Sequence, residues 1–410
     1  MSEKTYPKFR WFVLITIVLA TLAQGMILIA PSPLIGEVAK TLNMDLGVAT
    51  AAAMLPFTLF VAIGGMLGGV SLDKLGPART FLACSFVVAL SGFLTPVFGG
   101  SVFGLVILRA LQGLGCGPII ASGPRLASEW FPQKQRGMFQ GVQGAALSLG
   151  ITIGLMAGPQ IAAGAGWQTV LVFFGGVMAL ACVLFVIYAF GPKAPSMSLN
   201  EHAAGDDFKK VFSLPVFWMT LLSVFSLSWV MQGYNDLTPG HIAVAAPAGL
   251  GFGPQVAGSV MGIYTLAFMI GSIASGFVAE KIFGGRYKTL ISVSFVLTAA
   301  FCGSVMLPFV NGNVATLTIC LILAGFFMGM PNPVAMTFIA NHYPENITGR
   351  VGGLTMGLSI FGGTIAVGAG SFALHATGMY TVSILIVVVV ALIGAGAGFG
   401  IKAPRAFAKK

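Results

Sequence analysis

The chain has 410 residues, 57% hydrophobic and only 8% charged, with 56 glycines and a mean hydropathy of +0.95. A soluble protein of this length carries about a quarter charged residues to wet its surface, so that class is excluded. Disorder is excluded with it, as are collagen, because glycine has no three-residue period, and an outer-membrane barrel, because the apolar runs are long and not alternating.

The composition predicts an all-α polytopic membrane protein. Windows of about 20 apolar residues place twelve spans at 11–35, 47–72, 80–99, 101–128, 138–163, 167–191, 213–240, 254–279, 288–309, 314–341, 350–375 and 379–401. An even number puts both termini on one side. With that side cytoplasmic, 19 of the 21 Lys and Arg residues fall inside, Lys40 falls outside and Arg109 lies within a span. The net charge of +10 is then topogenic and implies no nucleic-acid partner. The expected location is the inner (cytoplasmic) membrane, multi-pass.

The first span follows a basic stretch, but its apolar run is too long for a cleaved leader, so it is read as retained. Gln24 and the Pro31-Ser32-Pro33 break are its only polar or irregular features, and suit either a cavity wall or a simple bend. After the second span comes Asp73-Lys74-Leu75-Gly76-Pro77-Ala78-Arg79, whose charges either latch neighbouring helices or anchor the loop. The fourth span carries Arg109, a costly residue in lipid and a functional candidate by default. Arg109, Gln112 and Cys116 share one helix face. Arg109 then either faces a wet cavity or bonds backbone carbonyls at a bend. Gly113-Leu114-Gly115-Cys116-Gly117 has half the form of a dinucleotide loop, but no strand precedes it, and small residues here serve helix packing. Gly154, Gly158 and Pro159 in the fifth span are read the same way, as are Gly362, Gly363 and Gly368 in the eleventh.

Residues 192–212 form a charged linker, giving an N-terminal half at 1–191 and a C-terminal half at 213–410. In the seventh span Gln232, Asn235 and Asp236 lie on one stripe beside Tyr234, with His241 further on. This is either a substrate and coupling site, with Asp236 titrating, or a wetted helix end. Glu280, Lys281 and Arg286 follow the eighth span, and Pro331-Asn332-Pro333 interrupts the tenth, where Asn332 lines a pathway or simply marks a break. Asn341, His342 and Glu129 are read as solvated helix ends. Asn346-Ile347-Thr348 is a sequon placed inside the cell and is discounted. The five cysteines fall in spans without metal spacing, so no disulfide, metal or cofactor is expected.

The halves repeat one another. Gly69, Asp73, Lys74 and Arg79 recur as Gly276, Glu280, Lys281 and Arg286. Phe131-Pro132, Gly137 and Gly141 recur as Tyr343-Pro344, Gly349 and Gly353, and Gly113 and Gly117 as Gly325 and Gly329. Two parallel six-helix halves follow.

The acid-Lys-x-Gly-x-x-Arg loop, Arg109-x-x-Gln112-Gly113-x-Gly115, Gly154-x-x-x-Gly158-Pro159 and the Trp130-Phe131-Pro132 loop together resemble the major facilitator superfamily over essentially the whole chain. Arg109, Gly113, Gly115 and the Trp130–Gly137 segment resemble its organic anion transporters, in which a matching arginine binds substrate carboxylate. Two departures stand out: Cys116 replaces an acid seven residues after that arginine, and Gln24 stands where an Asp-Arg pair is common.

The resemblance implies a monomeric secondary transporter with a binding site between its halves, working by alternating access. The expected substrate is a small organic anion, a carboxylate, moved by symport or exchange with a proton, cation or second solute. Arg109 would neutralise it; Gln24, Gln112, Tyr234, Asn235 and Asn332 would add hydrogen bonds, Asp236 would couple, and Asp73, Arg79, Glu280 and Arg286 would gate. A rival reading keeps the fold and exports drugs or cations against protons. No catalytic constellation is present in the sequence, so an enzyme is not expected.

Overall fold

The structure is a computed structural model that describes residues 7–192, 194, 210–343 and 345–402. Most of the charged linker lies outside the described residues, as do the side chains of Asp73, Asn346 and Arg350.

Helix α1 (Arg10–Ile29) ends where Pro31 and Pro33 withhold backbone donors. A 3₁₀ turn at Ser32–Leu34 then leads into α2 (Ile35–Leu42). The first span is therefore a broken helix running from Arg10 to Leu42, longer than the predicted 11–35. Helix α3 (Leu46–Leu75) is capped by Asp45, whose Oδ1 accepts from Gly47 N and Val48 N. Helix α4 (Pro77–Phe93) has 17 residues, about 26 Å, and continues through helical Leu94 into α5 (Thr95–Phe98), which extends it to about 33 Å.

The fourth span divides into α6 (Val102–Ala121) and α7 (Gly123–Trp130), with α8 (Gln133–Ala165) and α9 (Trp167–Phe190) following. Helix α10 (Pro215–Ala243) carries Pro239 in its interior and runs on past the predicted end at 240. Helix α11 (Gly253–Phe277) passes into a π turn at Val278–Ile282. Helix α12 (Tyr287–Ser304) stops short of the predicted end at 309, and α13 (Pro308–Asn311) follows. The tenth span is broken at Pro331 as predicted, into α14 (Val314–Met328) and α15 (Pro331–His342). Helices α16 (Glu345–Thr377) and α17 (Tyr380–Phe399) complete the chain. Among the described residues, eleven helical stretches are long and apolar enough to cross a membrane, and α4 is the shorter apolar twelfth.

The helices form two compact units. One holds α1–α9 with Ile242–Val244 and Phe252–Gly262, and the other holds the remainder of α10–α17. In the first, α3 packs on α6, α1 on α8 and α4 on α9; in the second, α12 packs on α17 and α14.

Lipid gives helices no hydrophobic reason to associate, so close backbone approach carries much of the packing. A Cβ on Gly113 would strike the Phe57 carbonyl oxygen, and one on Gly325 would strike that of Tyr264. Gly117 and Gly329 meet the Val61 and Phe268 carbonyl oxygens, and Gly64 and Gly271 meet those of Leu114 and Phe326. Each of these contacts recurs between α3–α6 and α11–α14 at the offsets read from the sequence. The cap recurs too: Ser101 Oγ accepts from Gly104 N at the start of α6, and Asn313 Oδ1 from Ala315 N at the start of α14. The repeat is thus a repeat of contacts as well as of letters.

Candidate functional site

Arg109 projects from α6 and is completely buried. A buried guanidinium needs partners for its five N–H donors. Nε donates to the Ala53 carbonyl, and Nη1 donates to the Ile27 carbonyl at 2.9 Å and to Gln112 Oε1 at 2.9 Å. Nη2 donates to the Leu28 carbonyl at 2.9 Å and approaches Met54 Sδ at 4.0 Å. The Phe57 ring lies against the cation, 4.4 Å from Cζ to its centroid. Backbone carbonyls, one of the two surroundings the sequence left open, surround the guanidinium.

A proline makes one of those carbonyls available. In an unbroken helix residue 31 would donate to Ile27 O, but Pro31 has no N–H, and the chain leaves α-helical geometry directly after. Pro56 inside α3 has no N–H to donate to the Ala52 carbonyl, one residue before Ala53. The guanidinium ties α1, α3 and α6 together through backbone carbonyls, of which Ile27 O has lost its helical donor to Pro31. These partners are dipoles, which satisfy hydrogen bonds without adding a formal negative charge.

Gln112 is fixed by the same contact. Its oxygen faces Arg109, so its Nε2 is turned away, and that atom is buried without a hydrogen-bond partner. Gln24 on α1 is 2% exposed, and its Oε1 is likewise buried and unpartnered. Cys116, one turn beyond Gln112, is fully buried. Sequence reading passed over Gln143 on α8, which donates from Nε2 to the Ile119 carbonyl at 3.2 Å and to Thr21 Oγ1 at 3.4 Å. An amide in an apolar span was the available signal. It also missed Phe57, which nothing in the sequence marks among 33 phenylalanines.

In the second unit, Gln232 Nε2 donates to both carboxylate oxygens of Asp236, at 3.0 and 2.9 Å, one helical turn apart on α10. Asp236 is 2% exposed, so this stripe is enclosed and is not a wetted helix end. Asn235 beside it is also buried. Tyr234 is wholly enclosed, packs on Tyr264 with tilted rings 5.6 Å apart between centroids, and directs its hydroxyl to the Cys302 carbonyl at 3.5 Å. Its hydroxyl is engaged within the unit. His241 is buried with its ring 5.7 Å from that of Tyr380. Asn332, at the start of α15, is half-buried with an unpartnered, enclosed Oδ1.

The predicted gating residues lie apart from these clusters. Arg79, Glu280 and Arg286 are exposed near helix ends, and Glu280 and Arg286 form no ion pair with each other. Among the described residues no group of three or more His, Cys, Asp or Glu side chains is placed to hold a metal ion.

Comparison with known proteins agrees with this architecture. The chain is 24% identical over 390 residues to a probable sulfoacetate transporter, SauU, of Cupriavidus necator, covering 89% of this chain and 86% of that protein. It is 25% identical over 348 residues to the hexuronate transporter of Bacillus subtilis, covering 80% of each. The solved structure of a D-xylose-proton symporter superposes with a TM-score of 0.78 at 17% identity, over 96% of this chain and 98% of that one, and shows the shared fold. The family profile described as Major Facilitator Superfamily matches residues 13–246 and 240–408, so the chain belongs to that superfamily of multi-pass membrane transporters.

Proposed function

We propose that the protein carries a small organic anion, a carboxylate, across the cytoplasmic membrane by alternating access, as a symporter or exchanger, with both termini in the cytoplasm. The observation that carries this reading is Arg109: a fully buried cation with hydrogen bonds to backbone carbonyls and to Gln112, a glutamine whose own amide N–H groups are left unpartnered. Such a place has positive potential and open donors, which an anion complements. Arg109 supplies the charge, and Gln112 Nε2 the first donor. Gln24, Asn235 and Asn332 are proposed to add polar atoms, and Tyr234 is proposed with them on the second unit. The relatives named for sulfoacetate and hexuronate support an anionic substrate. The bias of 19 of the 21 basic residues to one side supports the orientation.

Asp236 is the proposed coupling group, a buried carboxylate that accepts hydrogen bonds from the Gln232 amide. Asp73 with Arg79 and Glu280 with Arg286 are the proposed gates, at repeat-related helix ends. The enclosed Asp236 also favours a second reading, a proton-coupled exporter of drugs or cations. Counterflow into proteoliposomes with labelled carboxylates and organic cations separates the two. Exchange of carboxylates alone supports the proposal; exchange of cations alone replaces it with the second reading.

A further inference from the structure

The second unit contains an open cavity of about 300 Å³ at the end of its helices where α11 turns into α12. It is lined by Arg286, Tyr287, Lys288, Phe338, His342 and Lys402, among others. Arg286, Lys288 and Lys402 are exposed, and no acidic side chain pairs with them among the described residues. The turn carrying Arg286 passes through Gly284 and Gly285, with φ of 57° and 75°, and so brings this arginine to the first turn of α12. In the first turn of α12 the Tyr287 and Thr289 N–H groups donate to the Gly285 and Arg286 carbonyls, and the Lys288 N–H has no backbone acceptor; the helix dipole adds positive potential there. The wall is firm: His342 stacks on Phe338 at 4.4 Å with its Nδ1 at the Phe338 carbonyl, and Tyr287 accepts a hydrogen bond from Asn341 at 2.9 Å.

The internal repeat offers a control within the same chain. By the two offsets that relate the halves, the first-unit counterparts of His342 and Lys288 are Trp130 and Phe81, both buried. That corner is closed by rings: Phe9 packs on Trp130 and Tyr188 at 5.9 and 6.4 Å, and Trp130 donates to the Tyr188 hydroxyl. The second unit has Lys288 and a cavity where the first has Phe81 and aromatic fill, while Arg286 keeps an exposed counterpart in Arg79. Exposed Ile282 and Phe399 adjoin the cavity-lining residues in sequence and offer apolar surface to acyl chains.

We propose that this cavity binds a phosphate group, supplied by the headgroup of an anionic phospholipid in the cytoplasmic leaflet. Arg286, Lys288 and Lys402 would hold the phosphate oxygens, and the Lys288 N–H at the start of α12 would face them. The inference does not rest on the transported substrate.

Native mass spectrometry of the purified full-length protein tests it, with phosphatidylglycerol and phosphatidylcholine offered in equal amounts and glycerol phosphate or inorganic phosphate as competitors. The triple variant Arg286→Gln, Lys288→Gln, Lys402→Gln is compared with Lys8→Gln, Lys40→Gln, Lys210→Gln, which removes the same charge elsewhere. A cation near an anionic headgroup is worth roughly a factor of five. Preferential retention of phosphatidylglycerol should therefore fall at least tenfold in the first variant and little in the second. Displacement by millimolar glycerol phosphate or inorganic phosphate would assign the same site to a soluble phosphate. Equal retention of the two lipids by the unaltered protein with no competition by either phosphate would overturn the proposal, as would equal losses in the two variants. Thermal midpoints of both variants, measured in the same detergent, establish that each is folded.

Discussion

The seam between α3 and α6 makes a quantitative demand at Gly113. A methyl group there would overlap the Phe57 carbonyl oxygen and sit 3.0 Å from its carbon and 3.1 Å from its Cα. Those are backbone atoms of a helix interior and cannot rotate aside, so Gly113→Ala must push the helices apart. Overpacking of this kind costs about 1–3 kcal/mol, while replacing glycine by alanine in a helix returns about 1 kcal/mol. Gly144→Ala on α8, where a Cβ meets nothing within 4 Å, has the propensity gain alone. The difference between the two variants therefore isolates packing and should be about 1–3 kcal/mol. Read as the midpoint of thermal unfolding in one detergent, Gly113→Ala should fall several degrees below Gly144→Ala. Because Phe57 also rests on Arg109, the first variant should transport poorly as well. A midpoint for Gly113→Ala equal to or above that of Gly144→Ala would refute the close-contact reasoning.

Three other outcomes follow from the site. Pro31→Ala supplies an N–H that can bond Ile27 O and compete with Arg109; a charge-assisted hydrogen bond is worth about 1.5–3 kcal/mol, so initial uptake should drop about tenfold or more while the protein stays folded. Unchanged uptake would show that the freed carbonyl does not matter. Asp236→Asn should abolish the response of uptake to an imposed pH gradient while leaving counterflow, since the amide keeps the contact with Gln232 but cannot lose a proton; a retained pH response would move coupling elsewhere. Gln112→Leu, which removes the unpartnered amide but keeps the volume, should raise KM for the anion more than it lowers Vmax.

Much of the architecture was legible because lipid makes hydropathy and charge decisive. Twelve spans, the breaks at Pro31 and Pro331, and the repeat all came from residue types whose physical consequences are local: apolar runs, missing N–H groups and missing Cβ atoms. Helix ends were less legible. Pro239 removes one hydrogen bond, yet α10 continues to Ala243, because a long helix tolerates one missing bond where tertiary packing supports it. At the site, the shared face of Arg109 and Gln112 followed from helical spacing, as did the stripe of Gln232 and Asp236. The partners of Arg109 did not. Three of them are backbone carbonyls on other helices, and no side-chain pattern encodes a carbonyl except indirectly, through the proline that strips it of its donor. Tyr234 was assigned toward substrate from its position beside Asn235, and only the packing reveals that its hydroxyl turns to Cys302.

The central claim is that one buried cation defines the substrate as an anion. Its most direct measurement is carboxylate counterflow by proteoliposomes containing Arg109→Lys, with Gly144→Ala as the folded control. Lysine keeps the charge but not the five-donor fork that bridges α1, α3 and Gln112, so the account predicts a loss of at least a hundredfold in the rate with the thermal midpoint still measurable. Carboxylate exchange at the unaltered rate in Arg109→Lys and Arg109→Gln alike would contradict it.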